Sequence, residues 1–244
     1  ALQAYRQALS GLSSLKGRAG DELYVRTALT YSKITDFQFD TKHTQKFLLH
    51  AMERAAGIGD RRSAVLLEMH LAKNLWYRSR YAGAIRRFNH AWQVSQESDD
   101  QALRRSAVTF STFFHYWQGR FQDAIAIYER DISDLDKVPR GEFSVMAAAT
   151  IGYCYTLTGH SAHGIGIIGS VHELSHSRGD ELLKSFCEIV MAISLLNVQR
   201  LDEAAGYIRK VHGITKRWPD SPLSVFSPLL LSYTHHLQGY AAKA

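Results

Sequence analysis

The chain has 244 residues, 45% hydrophobic and 21% charged, with four prolines, two cysteines and a formal net charge of +6. This composition excludes disordered and collagen-like classes, and so small a share of proline points to helix throughout. No window approaches the run of about 18 apolar residues that a transmembrane helix needs.

Charge and cysteine narrow the class further. Basic residues are scattered in short clusters such as Arg61-Arg62, Arg86-Arg87 and Arg104-Arg105, with no long tract. Nucleic-acid binding concentrates charge on one stripe, so this scatter argues against it. Cys154 and Cys187 are too few for a disulfide framework and too far apart for a CxxC site. Buried, reduced thiols in a cytoplasmic protein are the expectation. The start, Ala1-Leu2-Gln3-Ala4-Tyr5-Arg6, lacks the basic-then-apolar run of a signal peptide and reads as mid-helix. A piece of a longer protein is expected.

In chain order, residues 2–17 read as the second helix of a repeat whose first helix is missing. Repeats follow over 21–59, 60–99, 100–139, 140–179 and 180–219, and residues 222–239 read as the first helix of a partial repeat over 220–244. Each repeat holds two helices of about 18 residues joined by turns of two to four, which makes neighbours antiparallel. About 12 helices in a single domain, 1–244, are expected. The stretch Thr35-Asp36-Phe37-Gln38-Phe39-Asp40-Thr41 keeps the phase but loses the small-residue turn, and is expected to bend the stack.

Three columns fix the 40-residue period. Small residues recur at Ala84, Ala124, Gly164 and Ala204, each preceded by a turn at Ser79, Gly119, Gly159 and Gln199, with Gly239 in the same phase. Asp60, Asp100, Asp180 and Asp220 precede the first helices, broken only by Arg140. Aspartate there caps a helix because its carboxylate accepts the orphan amides of the first turn. The third column, Leu48, Phe88, Tyr128, Ile168 and Ile208, lies mid-helix, with Ala51, Ala91, Asp131, Val171 and Val211 one turn further along the same face.

Helix pairs carrying the signature Ile151-Gly152-Tyr155 and, more loosely, Leu71-Ala72-Leu75 and Met191-Ala192-Leu195, with the turn Gly119-Phe121-Ala124, resemble tetratricopeptide repeats. The resemblance spans nearly the whole chain, although the period exceeds that family's usual one and the proline ending its second helix is mostly absent. The 40-residue version resembles the sensor regions of large bacterial signalling ATPases and of maltose-regulator-type transcription activators. It implies an all-α, right-handed superhelical solenoid whose first helices line a concave side. On that phase the inward columns are Lys33, Lys73, Phe113, Tyr153, Ile193 and Tyr233, then Asp36, Trp76, Tyr116, Thr156, Leu196 and His236. A third runs Phe37, Tyr77, Trp117, Leu157, Asn197 and Leu237.

Lys73, Trp76, Tyr77, Phe113, Tyr116, Trp117, Tyr153, Ile193, Tyr233 and His236 are therefore the candidate groove residues. The middle of the groove is aromatic and aliphatic, unlike a carboxylate clamp built of Lys, Arg and Asn. Open, it is a binding surface; closed over by a tight superhelix, the same rings are packing.

Two chemical motifs appear out of context. His172-Glu173-Leu174-Ser175-His176 matches H-E-x-x-H, in which two histidines bind zinc and the glutamate activates water. Its extended form would place a third ligand at Leu182, and Glu188 or Glu203 could serve in another zincin arrangement. Gly164-Ile165-Gly166-Ile167-Ile168-Gly169 fits G-x-G-x-x-G, but it falls in a second helix where a dinucleotide fingerprint needs a preceding strand.

The expectation is a non-catalytic scaffold without cofactor or metal, the sensor or interaction domain of a bacterial regulator. Its partner would be another protein, flanking domains of its own chain or a small-molecule effector, and the uncapped ends could form a homodimer. The alternatives are a zinc-dependent hydrolase at His172, Glu173 and His176, and a nucleic-acid-binding helical repeat.

Overall fold

The computed structural model describes residues 2–34, 41–131, 142–177, 181–216 and 222–239. Among these residues the regular structure is all helical, with twelve helices. They are α1 (Leu2–Leu12), α2 (Arg18–Ile34), α3 (Thr41–Gly57), α4 (Arg61–Tyr77), α5 (Tyr81–Gln96), α6 (Gln101–Trp117), α7 (Phe121–Asp131), α8 (Glu142–Leu157), α9 (Ser161–Ser177), α10 (Glu181–Asn197), α11 (Leu201–Thr215) and α12 (Pro222–Leu237). The chain forms two compact bodies, residues 1–107 and 108–244, the division falling inside α6. The expected bend over 35–41 concerns residues that, apart from Thr41, lie outside those described.

Within the first body α3 packs between α2 and α4, and α4 also packs on α5. Within the second, α9 sits between α8 and α10, and α11 between α10 and α12. First helices of successive repeats also touch each other: α2 meets α4, α8 meets α10, and α10 meets α12. This is the pairing that the short turns dictate.

The turns show why the period is so strict. Ser79, Gly119, Gly159, Gln199 and Gly239 all take positive φ, between 57° and 91°. At Ser79 the residue's own amide bonds to the Trp76 carbonyl and the next amide, of Arg80, bonds to the Leu75 carbonyl, both at 2.9 Å. The same crossed pair of bonds closes α6, α8 and α10. It satisfies carbonyls the helix end would otherwise orphan, and it needs a left-handed residue at one fixed place.

Two of the four aspartate caps are among the described residues. The Ser63 amide donates to Asp60 Oδ1 and the Leu103 amide to Asp100 Oδ1, each at 3.0 Å. Asp180 and Asp220 lie outside the described residues. The mid-helix column Leu48, Phe88, Tyr128, Ile168 and Ile208 is buried throughout, as are Ala51, Ala91, Val171 and Val211. Asp131 ends its helix in solvent, paired with Arg130 at 2.7 Å.

The small-residue column is the contact between paired helices. Ala84, Ala124 and Ala204 have no solvent exposure. In α8 and α9 both facing residues are glycine, and the backbones approach so closely that a Cβ on Gly164 would lie 2.2 Å from the Gly152 carbonyl oxygen. The G-x-G-x-x-G match therefore lies within a helix, and Gly164 serves a helix crossing.

Candidate functional site

The candidate groove residues divide between the two bodies. In the first body the column residues are Lys73, Trp76 and Tyr77, on the last turns of α4. Lys73 is buried, 3% exposed, and its ammonium lies 3.3 Å from His70 Nδ1. Burial holds the His70 pKa well below the usual histidine range, and Lys73 and Lys33 push it the same way. The imidazole is therefore neutral and can accept from Lys73. Trp76 is half-buried and packs edge-on against Tyr81 of α5, with ring centroids 4.8 Å apart.

In the second body an aromatic and polar strip crosses successive first helices. Tyr116 on α6 meets Tyr153 on α8 edge-on at 5.9 Å, and the Asn197 side chain on α10 lies close enough to Tyr153 to influence its hydroxyl. Tyr116, Tyr153 and Asn197 belong to three different columns of the repeat, all near the C-terminal ends of their helices. Burial pushes the Tyr116 hydroxyl up to about 12, with Tyr153 and Cys154 adding to the shift. Burial also raises Tyr153, partly offset by the neighbouring Asn197 side chain. Both phenols stay protonated at neutral pH and can donate as well as accept.

The other predicted positions differ in exposure. Phe113 is buried, 5% exposed, with Trp117 against it at 5.6 Å; Trp117 also packs on Phe114 at 5.4 Å. Ile193 is half-buried against the cluster of Ile189, Val211 and Leu223. Thr156 and Leu196, inward by phase, are buried: Thr156 packs against Gly164 and Leu196 clusters with Ala204. Tyr233 is 53% exposed and His236 is also exposed. Tyr233 belongs to an apolar face of α12 that includes Val225, Phe226, Leu229 and Leu237, all exposed.

The H-E-x-x-H residues lie on the second half of α9. His172 Nε2 lies 3.3 Å from Glu188 Oε1 on α10, whereas Glu173 and His176 point to solvent. Glu188 is buried and its Oε2 has no hydrogen-bond partner. Among the described residues no three His, Cys, Asp or Glu side chains are grouped to hold a metal ion. The pairing of His172 with Glu188 joins α9 to α10, but the second histidine and the glutamate of the motif are not brought to it. Nor is any described helix long and apolar enough to cross a membrane.

Sequence reasoning passed over a cavity of about 700 Å3 in the first body, bordered by α3, the end of α4 and the start of α5. A broken regularity in the repeat marks it. Arg120 bonds Asp123 at 2.7 Å, and Arg200 bonds Glu203 through two nitrogens at 2.7 and 2.6 Å. Arg80 occupies the same phase, with Gly83 where the acid would stand.

No family model and no curated protein matches the sequence. Solved structures do. The chain is similar to aspartyl phosphate phosphatase F from Bacillus subtilis, with TM-score 0.66 and 16% identity over 98% of this chain and 61% of that one. It resembles a Rap protein complexed with competence and sporulation factor, with TM-score 0.60 and 13% identity over 100% of this chain and 71% of that one. A signal-transduction ATPase with a tetratricopeptide repeat sensor, from Pyrococcus horikoshii, gives TM-score 0.60 and 12% identity over 96% of this chain and 36% of that one. At these identities the likeness concerns architecture, and the architecture is consistent with the 40-residue columns, the left-handed turns and the paired helices. The chain is an all-α helical-repeat solenoid of the tetratricopeptide-repeat type.

Proposed function

We propose that the chain is a non-catalytic protein-binding scaffold, the interaction or sensor domain of a larger bacterial signalling or transcription regulator. The observation that carries this reading is the strip Tyr116–Tyr153–Asn197, in which half-exposed rings and polar groups run across three first helices. Aromatic side chains of this kind supply large contact area with a polar tip, the combination found at binding hot spots. The Rap protein structure holds a bound competence and sporulation factor, and the Pyrococcus ATPase carries its repeats as a sensor. Both precedents support a recognition role for a repeat of this architecture.

The test is photo-crosslinking in cells from position 153, followed by identification of the adduct. Tyr116→Ala and Tyr153→Ala should abolish the adduct's partner binding while leaving the helical circular dichroism intact. Native mass spectrometry of the purified chain, with and without chelator, separates a small effector from a protein partner. Undiminished partner binding by the double variant would remove the strip from the site.

A further inference from the structure

The cavity belongs to the first body, whereas the aromatic strip belongs to the second, and it has its own chemistry. Its floor is apolar: Leu71 and Leu75 of α4 are buried beneath it. Leu49 of α3 and Tyr81 of α5 form walls and remain substantially exposed. Its rim is basic, with Arg80, Arg86 and Arg87 and no aspartate or glutamate among its lining residues. At about 700 Å3 it falls within the range of ligand-binding cavities, about 300–1,000 Å3.

The arginines differ in how they are engaged. Arg87 is tied to Glu68 at 3.3 Å, and Glu68 is also held by His90 at 2.7 Å. Arg80 and Arg86 are exposed and make no side-chain hydrogen bond or ion pair among the described residues. In the equivalent first turns of α7 and α11 the arginine is neutralised within its own helix by Asp123 or Glu203. In α9 the equivalents are His160 and His163, both packed on the Tyr155 ring. Only at Arg80 does the repeat put glycine in place of the partner. Folding does not demand that glycine: Gly83 lies within a helix, and a Cβ there would meet Leu75 Cδ1 at an ordinary 3.7 Å. Its missing side chain leaves both the cavity and the unmatched charge.

We infer that this cavity binds an acidic–apolar segment of a partner protein, in which an Asp or Glu carboxylate pairs with Arg80 in place of the repeat's missing acid. A neighbouring Leu- or Phe-like side chain covers the Leu71–Leu75 floor. Charge complementarity selects the acid, because guanidinium–carboxylate pairs are the strong, directional ones. The exposed rim selects a passing chain segment over a small molecule that would need enclosure. This site is independent of the Tyr116–Tyr153–Asn197 strip.

The experiment uses the full chain on an array of peptides of about ten residues, varied in acidic and apolar positions, with affinities then measured by fluorescence anisotropy. Retained peptides should carry Asp or Glu beside Leu or Phe, and binding should weaken at least about tenfold when the acid becomes its amide. Arg80→Gln should weaken it equally. Gly83→Glu, which restores the internal pair seen at Arg120 and Arg200, should abolish binding without lowering the melting temperature. Tyr153→Ala should leave it unchanged, which separates this site from the strip. Four results would overturn the inference: no retained peptide, retention without acidic preference, unaltered binding by Gly83→Glu, or 4-phenylbutyrate binding as tightly as the best peptide. The last would make this a site for a free small acid.

Discussion

Gly164→Ala and Gly166→Ala are the same chemical change two residues apart on α9, and they should move stability in opposite directions. Alanine is favoured over glycine in a helix by about 1 kcal/mol. At Gly166 nothing lies within 4 Å of the new methyl, so that gain stands almost alone. At Gly164 the methyl would sit 2.2 Å from the Gly152 carbonyl oxygen, 2.7 Å from Thr156 Oγ1 and 3.0 Å from the Thr156 amide nitrogen. An ordinary carbon–oxygen approach is about 3.3 Å, so the helices must separate by about 1 Å. Two of the three obstacles are backbone, which no rotamer change can move. Overpacking of this kind costs about 1–3 kcal/mol, and the separation also forfeits a quarter to a half of the contact energy across the gap. The net expectation for Gly164→Ala is a loss of about 2 kcal/mol, or about 4–8 °C in Tm for a chain this size. Gly166→Ala should gain up to about 1 kcal/mol, or about 2–4 °C. Thermal melts followed by far-ultraviolet circular dichroism measure both. A Gly164→Ala protein that melts at or above the wild type would refute the backbone-contact reading of this crossing.

Other expectations follow from the turns, the buried charges and the first helix. Ser79 and Gln199 hold left-handed conformations that cost a side-chain-bearing residue about 1–2 kcal/mol, offset in glycine by about 0.5–1 kcal/mol of chain entropy. Ser79→Gly and Gln199→Gly should each stabilise by about 0.5–1 kcal/mol in urea melts, whereas Gly119→Ser should destabilise. Burial lowers the pKa of His70, and to a lesser degree His115, below the ordinary 6.5. The unfolded chain therefore takes up these protons first as pH falls through about 6.5, and stability must fall with it. The slope below that pH should be up to about 1.4 kcal/mol per unit for each histidine, and His70→Gln should remove one proton's share; an unchanged slope would show that His70 is not held neutral. Arg54 bonds the Ser13 carbonyl at 2.8 Å and Asp21 at 3.1 Å, and lies over the Tyr24 ring. Arg54→Ala should cost about 2–4 kcal/mol and speed amide exchange across α1; full protection of α1 would contradict its anchoring role.

Repetition made the backbone legible, because a left-handed turn or a close helix crossing constrains the residue at one place in every copy. Ser79 and Gln199 could be aligned with glycines on phase alone, and the structure gives them the same φ sign. The surface was less legible. Phase says which way a first-helix side chain leaves its helix, but exposure depends on neighbours set by packing across several elements. Trp76 leans on Tyr81, Phe113 lies beneath Trp117, and Thr156 is drawn against α9 by the glycine crossing. The Phe113–Trp117 pair has the spacing of one helix face, but the contacts of Trp76 and Thr156 cross to the next helix and are set by how the pair packs. The acidic-partner cavity did leave a trace, since Gly83 breaks the arginine–acid pairing of Arg120 with Asp123 and Arg200 with Glu203. That position is marked by what fails to repeat.

The crossed hydrogen bonds at Ser79, Gly119, Gly159 and Gln199 are made by backbone groups alone. The ends of α4, α6, α8 and α10 are thus closed without help from the side chains of the next repeat, and the backbone joint is the same in each. Excising residues 160–199 would splice Gly159 directly to Arg200, keeping the amide that completes the turn and the arginine-first start of α11. Loss or gain of 40 residues therefore keeps the phase, although this particular splice would set Ala204 against Gly152 where only Gly164 now fits, while loss of 39 would turn the apolar stripe at the joint by about 100° away from its neighbour. Evolution can lengthen or shorten such a chain in whole steps, and insertions that respect the step leave the grammar of the remaining repeats unaltered.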